Sequence, residues 1–70
     1  MSEIEYEIYK TDWYDTLYMA CNTAQNGIND RIHKNYHRDI AVKSCQLVKE
    51  KIKNRTEYCY VLIFEYTTRP

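Results

Sequence analysis

The chain has 70 residues and equal numbers of basic and acidic side chains, ten of each, so it is long enough for one small domain only. A hydrophobic fraction of 44% excludes a disordered chain. The longest apolar run, residues 58–64, is far shorter than the roughly 20 residues of a membrane span, and residues 1–10 lack the pattern of a secretion signal. We therefore expect a single cytoplasmic domain over residues 1–70 that does not enter a membrane.

The first predicted element is a strand at residues 3–9, where apolar and charged residues alternate. A period of two is typical of a strand with one buried face. The pattern predicts three apolar side chains that face the core and an acidic row that faces solvent: Ile4, Tyr6 and Ile8 inward, and Glu3, Glu5 and Glu7 outward.

The period then changes to that of a helix. Asp12 and Asp15 resemble a capping box, so a first helix is predicted to begin near residue 12. Apolar residues at helical spacing continue as one stripe as far as Ile28. Asn26 and Gly27, the only glycine, predict the end of this helix, because glycine adopts the left-handed C-cap conformation without steric cost.

A second helix is predicted from about residue 38 to residue 53. Lysines near its end favour the negative pole of a helix dipole. Residues 31–38 are more polar, and the sequence leaves open whether they form helix or a turn. The apolar stripe of this helix consists of four residues at helical spacing: Ala41, Cys45, Val48 and Ile52.

The last predicted element is a strand at residues 57–68, which is rich in β-branched and aromatic residues. Both of its faces are apolar, so both should be covered. One face carries what we call the aromatic ladder: Tyr58, Tyr60, Leu62, Phe64 and Tyr66. The other face carries Cys59, Val61 and Ile63.

These elements predict an α+β fold in the order strand, helix, helix, strand. The two strands would pair antiparallel, with both helices packed on one face. A two-stranded sheet covered on one side leaves the other side bare, and such sheets are barely stable alone. We therefore expect another molecule to cover the aromatic ladder, in the first place a second copy that completes the sheet as a homodimer.

Charge is distributed unevenly along the chain. Residues 1–30 carry six carboxylates and one lysine, whereas residues 31–55 carry eight cations and two carboxylates. Such asymmetry is typical of an interaction surface, and the basic segment could contact phosphates. A nucleic-acid-binding regulator is therefore the alternative prediction, with these candidate contacts: Arg31, Lys34, Arg38, Lys49 and Lys53.

Residues that could perform catalysis or bind a metal are few. The three cysteines form no Cys-x-x-Cys pair, and we expect reduced thiols on apolar faces. His33 and His37 would share one face of a helix, so a metal site there stays open as an alternative. The single glycine excludes a glycine-rich phosphate loop. We predict no catalytic residue, no cofactor and no resident metal.

The sequence favours binding over catalysis. Eight tyrosines suit a contact surface, because tyrosine offers a large area and a polar tip at low entropic cost. Tyr, Ile, Lys and Asn greatly outnumber Ala, Gly, Pro and Arg, a bias of AT-rich genomes such as those of phages and mobile elements. We predict a small non-enzymatic protein-binding module, encoded by such an element, that binds and blocks a host protein in the host cytoplasm. Its predicted contact surfaces are the aromatic ladder and the acidic row.

Overall fold

A computed structural model describes residues 3–68 and shows an α+β fold with one helix and a three-stranded antiparallel sheet. The elements in chain order are β1 (Ile4–Lys10), α1 (Leu17–Lys34), β2 (Arg38–Ile52) and β3 (Arg55–Thr68). The strand order is β1-β3-β2, so the last strand lies at the centre. The predicted antiparallel pairing of the first and last strands is confirmed. The third strand comes from the same chain, and completion of the sheet by a homodimer stays a prediction.

The predicted second helix is wrong, because residues 38–52 form strand β2. A β-bulge at Lys43 interrupts the alternation of this strand. Before the bulge Ile40 and Val42 share a face with the aromatic ladder, and after it Cys45 and Leu47 do. The predicted stripe is therefore divided: Cys45 lies on the face of the aromatic ladder, whereas Ala41, Val48 and Ile52 lie on the other face.

Helix α1 begins later and ends later than the sequence predicts. Thr16 is its N-cap and accepts a hydrogen bond from the backbone N–H of Met19 at 3.2 Å. The helix continues through Gly27 to Lys34, so the predicted end at residues 26–27 is wrong. Gly27 has no positive φ; instead a Cβ there would lie 2.6 Å from Cε2 of Tyr9. The glycine therefore allows close approach of β1 to the middle of the helix.

The core lies between α1 and one face of the sheet. Ala20 and Ala24 are buried on the helix, and their small side chains let it approach the sheet closely. Phe64 and Leu62 of β3 are fully buried, and Tyr66 is nearly so. The helix thus covers the face of the aromatic ladder, whereas the face of Val61 and Ile63 is the open one. Partly buried side chains complete the core: Tyr9, Ile28, Ile40 and Tyr60.

The predicted orientation of β1 is also wrong. Register partners share a face of the sheet, and Glu7 pairs with Phe64 while Glu5 pairs with Tyr66. The acidic residues therefore lie on the helix side. The apolar residues of β1 lie on the other side and are exposed: Ile4 by 56%, Tyr6 by 62% and Ile8 by 73%.

The β2–β3 hairpin extends beyond the rest of the fold. Strand β1 ends opposite Val61, and a bridge between Tyr14 and Tyr58 is the last pairing of a third segment with the hairpin in the described residues. We call residues 49–58 the arm. Apart from the bridge at Tyr58, its two strands pair only with each other as far as the turn, where Lys53 has a φ of 55°. The molecule measures 52 × 18 × 12 Å as a result. Within residues 3–68, no helix is both long and apolar enough to cross a membrane.

Candidate functional site

Two arginines tie the end of α1 and the start of β2 to the acidic side of β1. Arg31 donates from Nε and Nη2 to the two carboxylate oxygens of Glu7, at 2.8 and 3.0 Å. Its Nη1 donates to the backbone oxygen of Gly27 at 3.0 Å, and its guanidinium carbon lies 4.3 Å from the ring centroid of Tyr9. Such two-point pairing fixes both orientation and distance. Arg31 therefore anchors the last turn of α1 to β1.

Arg38, the first residue of β2, makes a similar set of contacts. Its Nη1 donates to Glu5 at 3.1 Å, its Nη2 donates to the side chain of Asn35, and its guanidinium lies 4.4 Å from the ring centroid of Tyr66. Asn35 caps α1, and its side chain donates to the backbone oxygen of Arg31 at 2.9 Å. We call Glu5, Glu7, Arg31, Arg38 and Tyr66 the arginine cluster.

The electrostatics of the arginine cluster follow from these bonds. The Tyr66 hydroxyl donates to the Glu7 carboxylate. Hydrogen bonds from Arg31, and then from Tyr66, lower the pKa of Glu7, while burial partly opposes this shift. Burial and the bond to Glu7 raise the pKa of Tyr66. At neutral pH Glu7 is therefore ionised and Tyr66 neutral, as in a structural network in which charged groups pair within the chain. Nε of Arg38 is the one buried side-chain N or O atom of the described residues that has no hydrogen-bond partner.

This geometry places several predicted contact residues in internal pairs. Of the acidic row, Glu5 and Glu7 are bound by Arg38 and Arg31, and only Glu3 forms no ion pair within residues 3–68. Of the predicted phosphate contacts, Arg31 and Arg38 belong to the same pairs, and Lys34 pairs with Asp30 at 3.2 Å. Lys49 and Lys53 lie far away on the arm, so the predicted basic segment does not form one continuous surface.

The aromatic ladder is divided between core and surface. Leu62, Phe64 and Tyr66 lie in the core under α1, so this part of the ladder is not an open surface in the single chain. Tyr58 and Tyr60 are half-buried, and burial raises the pKa of Tyr60. The reason for the difference from the prediction is that the helix packs on the bulkier face of β3.

The opposite side of the sheet also carries an apolar surface. We call it the open face and define it by Ile4, Tyr6, Ile8, Val61 and Ile63. Ile8 and Ile63 are direct register partners at its centre, and the Tyr6 hydroxyl donates to Glu65 at 2.9 Å on the neighbouring pair. The hydrogen bond to Glu65 is the main reason why the pKa of Tyr6 is raised. Ile4, Tyr6 and Ile8 are exposed, whereas Val61 and Ile63 are half-buried. Neighbouring exposed apolar and aromatic side chains are typical of interaction surfaces.

The border of the open face is polar or small. Lys10 lies at one end of the β1 side, with its ammonium 5.2 Å from the ring centroid of Trp13. On the β2 side the register places Ala41, Ser44 and Gln46. An apolar centre with a polar rim is the usual anatomy of a protein contact.

Sequence reasoning missed the open face because it assigned Ile4, Tyr6 and Ile8 to the core. A signal was present, since β3 is apolar on both faces and a single helical layer can cover only one. The side that is covered is marked by Arg31 and Arg38, whose positions along the chain do not reveal that they reach Glu7 and Glu5 of β1.

The histidines do not share a helix face. His33 lies in the last turns of α1, whereas His37 follows the helix in the turn before β2, so the spacing that suggested a metal site does not apply. No group of three or more His, Cys, Asp or Glu side chains that could hold a metal occurs among the described residues. Cys21 and Cys45 are exposed free thiols, and Cys59 is a buried one.

Comparisons with known proteins leave the site to be interpreted from its own chemistry. A scan of protein-family models, a search of curated proteins and a search of solved structures find no match to this chain.

Proposed function

We propose that this chain is a small protein-binding module and that the open face is its binding surface. The observation that carries the proposal is the exposure of three consecutive outward side chains of β1, with Ile8 exposed by 73%. Burial of apolar area contributes about 25 cal/mol per Å², so contact with a partner would recover free energy that the single chain leaves unused.

The other side of the sheet supports this assignment. There α1 covers the aromatic ladder, and the arginine cluster satisfies the acidic side chains of β1. On that side Leu62, Phe64 and Tyr66 are buried and the arginines pair with the carboxylates of β1, although Val42 of β2 is 43% exposed. On the open face the apolar side chains of β1 lack such cover, while Val61 and Ile63 of β3 are half-buried and Cys59 is fully buried. We therefore move the proposed contact surface from the aromatic ladder and the acidic row to the opposite face of the sheet.

The biological role follows from the same proposal. A module of this size that binds through one sheet face acts by occupying a surface of its partner. The AT-type composition favours an origin in a phage or mobile element, where the partner is a host protein that the module blocks. A second copy of the chain is the competing occupant of the open face.

Photocrosslinking tests the proposal. Tyr6 is replaced by the photoreactive residue benzoylphenylalanine, and Tyr36, a similarly exposed tyrosine in the turn after α1, is replaced in a matched control. Both proteins are irradiated in lysate of the source cells. We expect a discrete adduct with a host protein from position 6 and none from position 36.

A substitution then links the adduct to the apolar surface. Ile8→Lys should abolish the adduct at position 6 while the folded structure persists, because exposed substitutions usually change stability by less than about 0.5 kcal/mol. Ile32→Lys, at an exposed isoleucine of α1, should leave it unchanged. An adduct between two copies of the chain would instead identify a second copy as the occupant of the open face. Equal adducts from positions 6 and 36, or none from position 6, would contradict the proposal.

A further inference from the structure

The arm has a different character from the rest of the sheet. Residues 49–55 are all exposed, and the arm is a ribbon of two strands. Its charged side chains are four cations and two carboxylates: Lys49, Lys51, Lys53, Arg55, Glu50 and Glu57. The excess of positive charge therefore lies on a thin, projecting element.

The charges of the arm are separated by face. Lys49 and Lys51 alternate along β2, and their register partners are Tyr58 and Thr56, so this face carries no carboxylate. Glu50 and Glu57 are direct partners on the other face. Arg55 pairs with Glu57 at 3.0 Å. The arm is thus cationic on one face, and the acids are restricted to the other.

The lysines of the arm differ from the cations near α1. Arg31, Lys34 and Arg38 form ion pairs with Glu7, Asp30 and Glu5. In contrast, Lys49, Lys51 and Lys53 take part in no ion pair within residues 3–68, and Lys53 occupies the turn at the tip. Their charges are available to an external anion.

We propose that the cationic face of the arm binds the phosphates of duplex DNA, with the ribbon lying in the major groove. The major groove is about 12 Å wide and admits a two-stranded β-ribbon. Alternate residues of a strand are about 6.6 Å apart. Adjacent phosphates of one DNA strand are about 7 Å apart, because the backbone winds around the axis while it rises by about 3.4 Å per step. Lys49 and Lys51 can therefore contact neighbouring phosphates.

The chemistry predicts binding without strong sequence preference. Lysine ammonium groups are point charges that attract phosphates, whereas sequence is read by contacts to base edges. The groove geometry favours DNA over duplex RNA, because the A-form major groove is too deep and narrow for such a ribbon. This activity uses the arm, so it is separate from the protein contact of the open face.

Salt dependence measures the number of lysines involved. The full chain is titrated against a fluorescently labelled 20-base-pair DNA duplex, with anisotropy as the readout. Release of counterions by three lysines predicts a slope of about −2.7 for log K against log salt, which is a loss of affinity of about 40-fold between 50 and 200 mM salt. The combined variant K49Q/K51Q/K53Q should weaken binding at least tenfold at 50 mM salt and reduce the slope toward zero.

A matched control separates the arm from net charge. The variant K10Q/K34Q/K43Q removes the same charge from sites outside the arm and should keep most of the affinity and the slope. Circular dichroism checks that both variants are folded. Equal losses in the two variants, tighter binding to duplex RNA than to DNA, or no DNA binding by the natural chain at 50 mM salt would overturn the proposal.

Discussion

The two ends of the β2–β3 hairpin share one ladder of hydrogen bonds but differ in what covers them. At one end α1 and β1 enclose Phe64 and Tyr66, and the hairpin supplies the centre of the core. At the other end the arm has neither neighbour, and Lys51 and Thr56 occupy a pair on the same face as Phe64. Strand pairing alone therefore does not decide whether a hairpin is core or surface. The neighbouring helix decides it, and the side chains of each end match that role.

The largest expected effect comes from removing a buried side chain at the end of the hairpin that α1 and β1 cover. Phe64→Ala should lower the free energy of unfolding by about 3–5 kcal/mol, because it removes a fully buried aromatic side chain and leaves a cavity. Ile52→Ala, on the exposed arm, should cost less than about 1 kcal/mol. Urea unfolding followed by circular dichroism measures both. Similar losses at the two sites would show that the arm is packed as tightly as the core.

An intermediate effect is expected where β1 meets α1. Gly27→Ala should destabilise the protein by about 1–2 kcal/mol, because the new Cβ would overlap the ring of Tyr9, which also packs against Arg31. In a Tyr9→Ala background the same change should instead stabilise by about 0.5–1 kcal/mol, since alanine is the better helix former. A double-mutant cycle measures the difference. A stabilising Gly27→Ala in the natural chain would mean that the ring moves aside freely.

The smallest expected effect is the pH dependence of the arginine cluster. The pKa of Glu7 in the folded chain is below its ordinary value of 4.5, so ionised Glu7 adds stability above that pH, and the contribution is lost as the pH falls through the lowered pKa. Because the Glu7 side chain is 41% exposed, solvent screening limits the effect to about 1 kcal/mol or less.

Glu7→Gln should therefore reduce the melting temperature at pH 7 and reduce it less at pH 2.5. Glu3→Gln, in the same acidic row but outside the ion pairs of the described residues, serves as control and should change little at either pH. A Glu7→Gln defect that is equal at both pH values would assign the role of Glu7 to packing and not to charge.

Part of the fold could be read from the sequence. Strand β3 and the inward stripe of α1 at Ala20, Ala24 and Ile28 are visible as local patterns, because both depend on periodicity within one segment. The antiparallel pairing of β1 with β3 was instead predicted from the order of the elements along the chain.

Strand β2 could not be identified because its sequence lacks the regular alternation of apolar and polar residues that marks a half-buried strand. Most of its residues are exposed, so burial does not impose alternation, and the bulge at Lys43 changes which residues share a face. The end of α1 was missed for a similar reason. Gly27 looks like a C-cap in the sequence. In the structure it lies inside the helix, where the absence of a side chain leaves room for the ring of Tyr9, a residue 18 positions earlier in the chain.

The candidate site was inverted because a local pattern does not show which face of a strand meets the helix. The alternation of β1 predicts two faces, but it does not say which one receives the helix. In the structure Glu7 and Glu5 lie on the helix side, where Arg31 and Arg38, 24 and 33 positions away, bind them. The apolar residues of β1 are then left on the open face, which became the proposed binding surface.

The central place of β3 also governs the order in which the chain can fold during synthesis. Strands β1 and β2 do not pair with each other. Each pairs with β3, which leaves the ribosome last of the three. Every β1 partner lies more than 50 positions away, a separation that slows folding. The arm can therefore pair as soon as residues 55–58 emerge, whereas β1 stays unpaired until residues 61–67 emerge, so the sheet and its core are completed last.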